Sequence, residues 1–266
     1  MNRDILRQVA NVITLVVTLI INFLSQLPPP NGIGVATSAE IANRYPDLYY
    51  FPANSAFSIW GIIYTALIAF VVYQALPAQR TNPHLQRLGW LFVVTGIFNT
   101  AWLFSFQYEQ FALSMIMMFI LLGTLITIYL RLGIGRIAVS PRDKLLIHVP
   151  FSLYLGWITA ATVTNASYLL RNTNWDGFGI APEIWAVVML AITGVLGLAM
   201  IVRHRDIAYA LVIAWATYWI ATRHSGVQPV AFAALTVAGL MIVSIIATVV
   251  INNRPTAPIN ASRATA

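Results

Sequence analysis

The sequence predicts an all-α integral membrane protein with about eight transmembrane helices. Hydrophobic residues make up 59% of the 266 residues and charged residues only 9%, whereas a soluble domain carries about 25% charged residues. The apolar residues are grouped into spans of the length that a helix needs to cross a bilayer, about 20 residues at 1.5 Å each. The Lys and Arg residues are concentrated in alternate connections between these spans, as expected for helices that cross a membrane in succession.

Eight apolar spans follow one another along the chain. The first is too long for the hydrophobic part of a signal peptide and is not followed by a small-residue cleavage site, so we expect it to remain as a helix. The seventh is the shortest, which is typical of a tilted or partly interfacial helix. The spans are residues 9–27, 54–76, 88–106, 110–131, 145–170, 184–202, 207–222 and 229–251.

The distribution of positive charge predicts the orientation of the chain. Of the 15 Lys and Arg residues, only Arg44, Arg171 and Arg223 lie on the side opposite the N-terminus. This asymmetry predicts that both termini are cytoplasmic, and we expect a bacterial cytoplasmic membrane. Because the basic residues stand singly between apolar spans, the net charge of +7 does not indicate a nucleic-acid partner. The absence of cysteine excludes disulfides, iron–sulfur clusters and thiol chemistry.

The longest connection, residues 28–53, precedes the second span. Its prolines end the first helix because proline has no backbone N–H to continue the helical hydrogen bonds. The connection then brings Tyr45, Tyr49, Tyr50 and Phe51 to the membrane surface. Two interpretations are open: an aromatic belt at the interface, or a lid over a cavity that opens on that face.

The fifth span combines a bilayer-crossing length with polar residues near its middle. Trp157, Ala161 and Asn165 are spaced at i, i+4 and i+8 and therefore share one face of the helix. An unpaired polar side chain is costly in hydrocarbon, so this face should contact protein or a ligand rather than lipid. An aromatic ring, a small residue and an amide on one face suit either a planar ligand or a close contact between helices.

Two other spans carry similar rows of aromatic and polar residues. Each row lies on one side of its helix, and its tryptophan lies within the span rather than at the usual interfacial depth. The three rows either pack the interior of the bundle or line a pocket for a flat hydrophobic ligand. The additional rows are Phe57, Trp60 and Tyr64 in the second span and Asn99, Trp102 and Phe106 in the third.

No residue cluster in the sequence has the spacing of a catalytic or metal site. His148, at the start of the fifth span, suits an interfacial or capping role better than that of an axial ligand to haem or chlorophyll. We therefore expect no catalytic residues, no metal site and no obligatory cofactor. The tail from residue 252 onward is polar and rich in Pro and Ala, which is typical of disorder.

These motifs together resemble the TspO/MBR family, the tryptophan-rich sensory proteins that include the mitochondrial translocator protein. Members of that family share an ordered set of motifs in helices two to five. The matching residues are Pro52, Phe57, Trp60 and Tyr64, then Asn99, Trp102 and Phe106, then Phe111-Ala-Leu113, and finally Pro150, Trp157, Ala161-Thr162 and Asn165.

The resemblance implies a five-helix bundle with a pocket beneath the first connection. It also implies a tetrapyrrole ligand such as protoporphyrin IX or haem, or a sterol-like molecule. The chain then divides into a TspO-like domain (1–172), a three-helix membrane extension (173–253) and a disordered tail (254–266). The ligand-binding residues implied by the resemblance are Trp60, Tyr64, Asn99, Trp102, Trp157, Ala161, Thr162 and Asn165.

The function that follows from the resemblance is a non-enzymatic sensory protein that binds a tetrapyrrole or a similar flat ligand in the membrane and acts in signalling. Three alternatives are open. The chain could transport such ligands, or it could degrade porphyrin photochemically. It could also be a structural or regulatory subunit of a larger membrane complex, for example a photosynthetic pigment–protein complex. In that case, or in a homodimer, residues 184–251 would form the docking face.

Overall fold

The computed structural model describes residues 3–28 and 31–252, and within these ranges all regular secondary structure is helical. This confirms the predicted all-α class. The predicted disordered tail, 254–266, lies outside the described residues. The eight long helices are α1 (Arg3–Leu24), α2 (Ile59–Ala75), α3 (Leu91–Gln107), α4 (Phe111–Leu132), α5 (Val149–Asn172), α6 (Pro182–His204), α7 (Ile207–Arg223) and α8 (Gln228–Asn252).

Each of the eight predicted spans overlaps one of these helices. In the described ranges, six helical stretches are long and apolar enough to cross a membrane. Helices α3 and α7 have 17 residues each, the lower end of the spanning range. The first helix begins at Arg3, earlier than predicted. The polar residues Arg7, Gln8 and Asn11 are buried against other parts of the chain, so the helix includes them. The Gln8 amide, for example, donates to the backbone carbonyl of Gln74 at the end of α2.

The connection between α1 and α2 is folded over the end of the bundle. It contains a short helix, Ser38–Arg44, that begins with a capping box. Thr37 Oγ1 accepts from the Glu40 N–H at 3.2 Å, and the Glu40 carboxylate accepts from the Thr37 N–H at 2.7 Å. The hydrogen bond from the Thr37 backbone lowers the pKa of the Glu40 carboxyl, because it stabilises the charged form. A 3₁₀ turn, Asn54–Ser58, then leads into α2.

Helix α5 lies at the centre of the molecule. In the 18-residue apolar window of its span, 72% of the residues are buried, compared with 22–44% in the corresponding windows of the other five candidate spans. It packs against α2, α4 and α7. A π-helical turn, Lys144–His148, precedes it. Pro150 lies in the first turn of α5 and has no N–H to donate, so the hydrogen-bond pattern changes just before it.

The last three helices form a group that packs on α5 through α7. Within this group α6, α7 and α8 all contact one another. Gly194 and Gly197 let α6 approach Val237 and Met241 of α8 closely. A single hydrophobic core extends from Leu15 to Met241, across the predicted division at residue 172.

The contact between α5 and α7 depends on a glycine. A Cβ at Gly156 would lie 3.0 Å from Val212 Cβ and 3.3 Å from the Tyr209 carbonyl oxygen. We expect Gly156→Leu to separate the two helices and to lower the free energy of unfolding by about 2 kcal/mol, the usual cost of overpacking. Unfolding in mixed micelles, followed by far-UV circular dichroism, would measure it. Gly123→Leu is the matched control, because nothing lies within 4 Å of a Cβ there; equal losses in both variants would contradict the close contact.

Candidate ligand-binding cavity

A cavity of about 510 Å³ lies between α1, α2, α3, α5 and α7, beneath the connection that joins α1 to α2. Its volume is within the range of small-molecule sites, roughly 300–1,000 Å³. Its lining is mostly aromatic and aliphatic. The lining residues are Leu19, Asn22, Phe23, Gln26, Ser38, Tyr50, Phe51, Pro52, Asn54, Phe57, Trp60, Tyr64, Trp102, Leu103, Phe106, Trp157, Ala160, Ala161, Thr164, Asn165, Ala216 and Ile220.

Three tryptophans from three different helices converge on this cavity. Trp60 of α2 is stacked on Tyr64, with ring centroids 5.1 Å apart and an interplanar angle of 19°. Trp157 of α5 meets Trp60 edge-on at 6.3 Å and 81°. Trp102 of α3 is stacked on Phe106 at 5.7 Å and 28°. The rows of aromatic residues therefore supply both flat faces and ring edges around one space, which is the geometry that a planar ligand requires.

Most residues that the resemblance implied as ligand contacts lie in the wall of the cavity. Asn99 and Thr162 do not. The Thr162 hydroxyl donates to the Ile158 carbonyl of its own helix at 2.7 Å, and Asn99 is fully buried behind the lining. The six that line the cavity are Trp60, Tyr64, Trp102, Trp157, Ala161 and Asn165.

Two buried asparagines position residues of the wall. Trp102 Nε1 donates to Asn165 Oδ1 at 3.1 Å, and the same amide hydrogen-bonds to Ser114 of α4. This arrangement fixes the plane of the Trp102 indole. Asn99 Oδ1 accepts from Asn22 Nδ2 at 3.0 Å, so it acts on the cavity through Asn22 of α1. Helix α4 contributes no lining residue among those described. It contacts the wall through the hydrogen bond between Ser114 and Asn165.

The connection between α1 and α2 forms the roof of the cavity. Tyr50, Phe51, Pro52 and Asn54 line it from this side. The Tyr50 hydroxyl lies 2.7 Å from the hydroxyl of Thr193 in α6. Burial raises the pKa of Tyr50 above its ordinary value, because the charged phenolate is disfavoured in a site away from water. Of the two interpretations of the connection, the structure agrees with the lid: the connection covers the cavity.

Helix α7 holds the roof in place and supplies part of the wall. Trp215 Nε1 donates to the Ala56 carbonyl at 2.9 Å, and the Ala53 N–H donates to the Trp219 carbonyl at 3.0 Å. Trp215 and Trp219 thus pack on the preceding part of the same chain. Nothing in the sequence indicated that α7 would also line the cavity, with Ala216 and Ile220.

His224, just after α7, is a further contact of the roof. Its Nε2 lies 3.1 Å from the Phe51 carbonyl oxygen. Burial lowers the pKa of the His224 imidazole, which makes the ring neutral at pH 7. Since a carbonyl can only accept, Nε2 carries the proton of the neutral ring and donates it to Phe51. His224 therefore stabilises the roof through its hydrogen bond to Phe51.

His148 lies away from the cavity. It precedes Trp157 by nine residues, which is about 13 Å along a helix. Its ring is buried and meets His84 edge-on, with centroids 6.3 Å apart. In the described residues no group of three or more His, Cys, Asp or Glu side chains could hold a metal ion.

The fold and the cavity define a class: multi-pass helical membrane proteins that enclose an aromatic cavity between their helices. Within this class the chain belongs to the TSPO-like protein family, whose model matches residues 8–247. The match includes the motifs in helices α2 to α5 and extends through most of α8. It confirms the TspO/MBR resemblance. No curated protein and no solved structure gives a significant match to the chain.

Proposed function

We propose that this protein binds a tetrapyrrole, or a similarly flat hydrophobic molecule, in the cavity and acts as a sensory protein rather than an enzyme. The observation that carries the proposal is the convergence of Trp60, Trp102 and Trp157 on one cavity of about 510 Å³. Membership of the TSPO-like family supports the same class of ligand.

The arrangement of the wall favours a planar molecule. Trp157 is 4% exposed and is held by edge contacts to Phe57 and Trp60, so its ring is fixed before a ligand arrives. Trp102 is fixed by its hydrogen bond to Asn165. A rigid aromatic wall loses little conformational entropy on binding, which favours affinity for a rigid flat ligand. Ala161 leaves space between these rings.

Titration of the purified protein with protoporphyrin IX tests the proposal. We expect saturable quenching of tryptophan fluorescence, because a bound porphyrin would lie against the indole rings of the cavity. Trp102→Ala and Trp157→Ala should each weaken binding by about tenfold or more, since each removes an aromatic face worth about 1.4 kcal/mol or more.

The control is Trp90→Ala, which removes a tryptophan that is 44% exposed and lies outside the cavity. It should lower the total fluorescence and leave the affinity unchanged. Binding at this site would be contradicted by quenching that does not saturate. It would also be contradicted by an equal affinity in the parent protein and the three Trp→Ala variants.

A further inference from the structure

We infer that the cavity takes its ligand in an uncharged form, so that a tetrapyrrole with esterified carboxyl groups binds more tightly than the corresponding dicarboxylate. This inference rests on the proposed function and narrows the class of ligand.

The polar side chains of the wall are uncharged. Among the described residues, every polar side chain that lines the cavity is an amide, a hydroxyl or an indole, and none is charged. Such groups form hydrogen bonds but do not compensate a full charge. Transfer of an unpaired carboxylate from water into a mostly apolar site is strongly unfavourable. A dicarboxylate would lose this free energy for each carboxylate it buried.

The arginines on the face where the roof lies already have partners. Arg44 and Arg171 each form an ion pair with an acidic side chain. The Arg223 guanidinium lies over the ring of Phe51, a residue of the cavity wall, 4.9 Å from its centroid. A ligand carboxylate would have to compete with existing partners for these cations.

Asn22 is a polar residue of the wall and lies on α1. Its Nδ2 donates to the Thr18 carbonyl at 2.9 Å and to Asn99 Oδ1 at 3.0 Å. Both donor positions of the amide are therefore used, and its Oδ1 is left as an acceptor. An acceptor suits an N–H or O–H group of a neutral ligand, such as a pyrrole N–H, and repels a carboxylate.

The test compares protoporphyrin IX with its dimethyl ester at pH 7.4 in a detergent with an uncharged head group, with empty micelles as the blank. We expect the ester to bind at least about tenfold more tightly, equivalent to 1.4 kcal/mol. Equal or tighter binding of the diacid would overturn the inference and leave the proposed function intact. Saturable binding of neither porphyrin would overturn both.

A gain-of-charge variant provides a second readout. Gln26 is an exposed residue at the edge of the cavity, just after the end of α1, where a cation also suits the helix dipole. Gln26→Lys should raise the affinity for the diacid by about tenfold relative to the affinity for the ester, since only the diacid gains an ion pair. Gln228→Lys makes the same change on the same face, outside the cavity, and should alter neither affinity. No selective gain in Gln26→Lys would count against the inference.

Discussion

Ala161→Trp is expected to reduce the affinity for protoporphyrin IX on the order of 100-fold, about 2.7 kcal/mol. Ala161 lies one helical turn from Trp157 and one turn from Asn165, and all three line the cavity. An indole at this position would project into the space that a planar ligand needs. Because the new side chain fills an existing cavity, the fold should tolerate it far better than an insertion into a packed core. The quenching titration measures the affinity.

The matched control is Ala247→Trp on the exposed surface of α8. It introduces the same side chain and should leave both affinity and stability unchanged. Thermal unfolding of both variants distinguishes a filled cavity from a damaged fold. If Ala161→Trp binds porphyrin as well as the parent protein does, the ligand is not in this cavity.

The helical order and the meeting of the tryptophans were predictable from local sequence patterns. Apolar length identifies most of the long helices, because backbone groups in a bilayer must be satisfied within the segment. Polar and aromatic residues at helical spacing identify the face that turns away from lipid. Trp60, Trp102 and Trp157 each have such neighbours one turn away. Three inward faces on helices of one bundle are then expected to meet.

The roles of the individual amides were not predictable in the same way. Asn99 and Asn165 have similar motifs, yet Asn165 lines the cavity and Asn99 lies one layer behind it. The difference depends on α1, because Asn22 fills the position in front of Asn99 and donates to it. A pattern within one helix indicates which side faces inward. It does not indicate which neighbouring helix will cover that side.

The contacts between α7 and the roof could not be predicted from the sequence either. Trp215 bonds to Ala56, a residue 159 positions earlier in the chain. The bond ends on a backbone carbonyl, which every residue has. No residue type or spacing marks such a partner. A tryptophan pair in a membrane helix predicts a packing surface, whereas the identity of the opposite surface requires the tertiary structure.

The second large effect is expected on stability, at Asp206, where α7 meets α4 and α5. The Asp206 side chain is 6% exposed. One of its oxygens accepts from the Tyr129 hydroxyl at 2.8 Å and from the Ser152 hydroxyl at 2.7 Å. The other accepts from the Tyr209 N–H at 3.0 Å and so caps α7. One side chain therefore satisfies three donors, from the three helices that join the two helix groups.

Asp206→Ala should lower the free energy of unfolding by about 3 kcal/mol, because it leaves buried donors on three helices without an acceptor. Asp206→Asn should cost less, about 1 kcal/mol, since its carbonyl oxygen can still accept part of these bonds. Unfolding in mixed micelles, followed by circular dichroism, measures both.

Asp176→Ala is the control for the backbone cap alone. Asp176 also accepts from a backbone N–H, that of Phe178 at 2.9 Å, but it is exposed to solvent. Its loss should cost about 1 kcal/mol or less, because water can replace the missing acceptor. Similar losses in Asp176→Ala and Asp206→Ala would mean that Asp206 is only a helix cap. A much larger loss in Asp206→Ala would show that this buried carboxyl group attaches the start of α7 to α4 and α5.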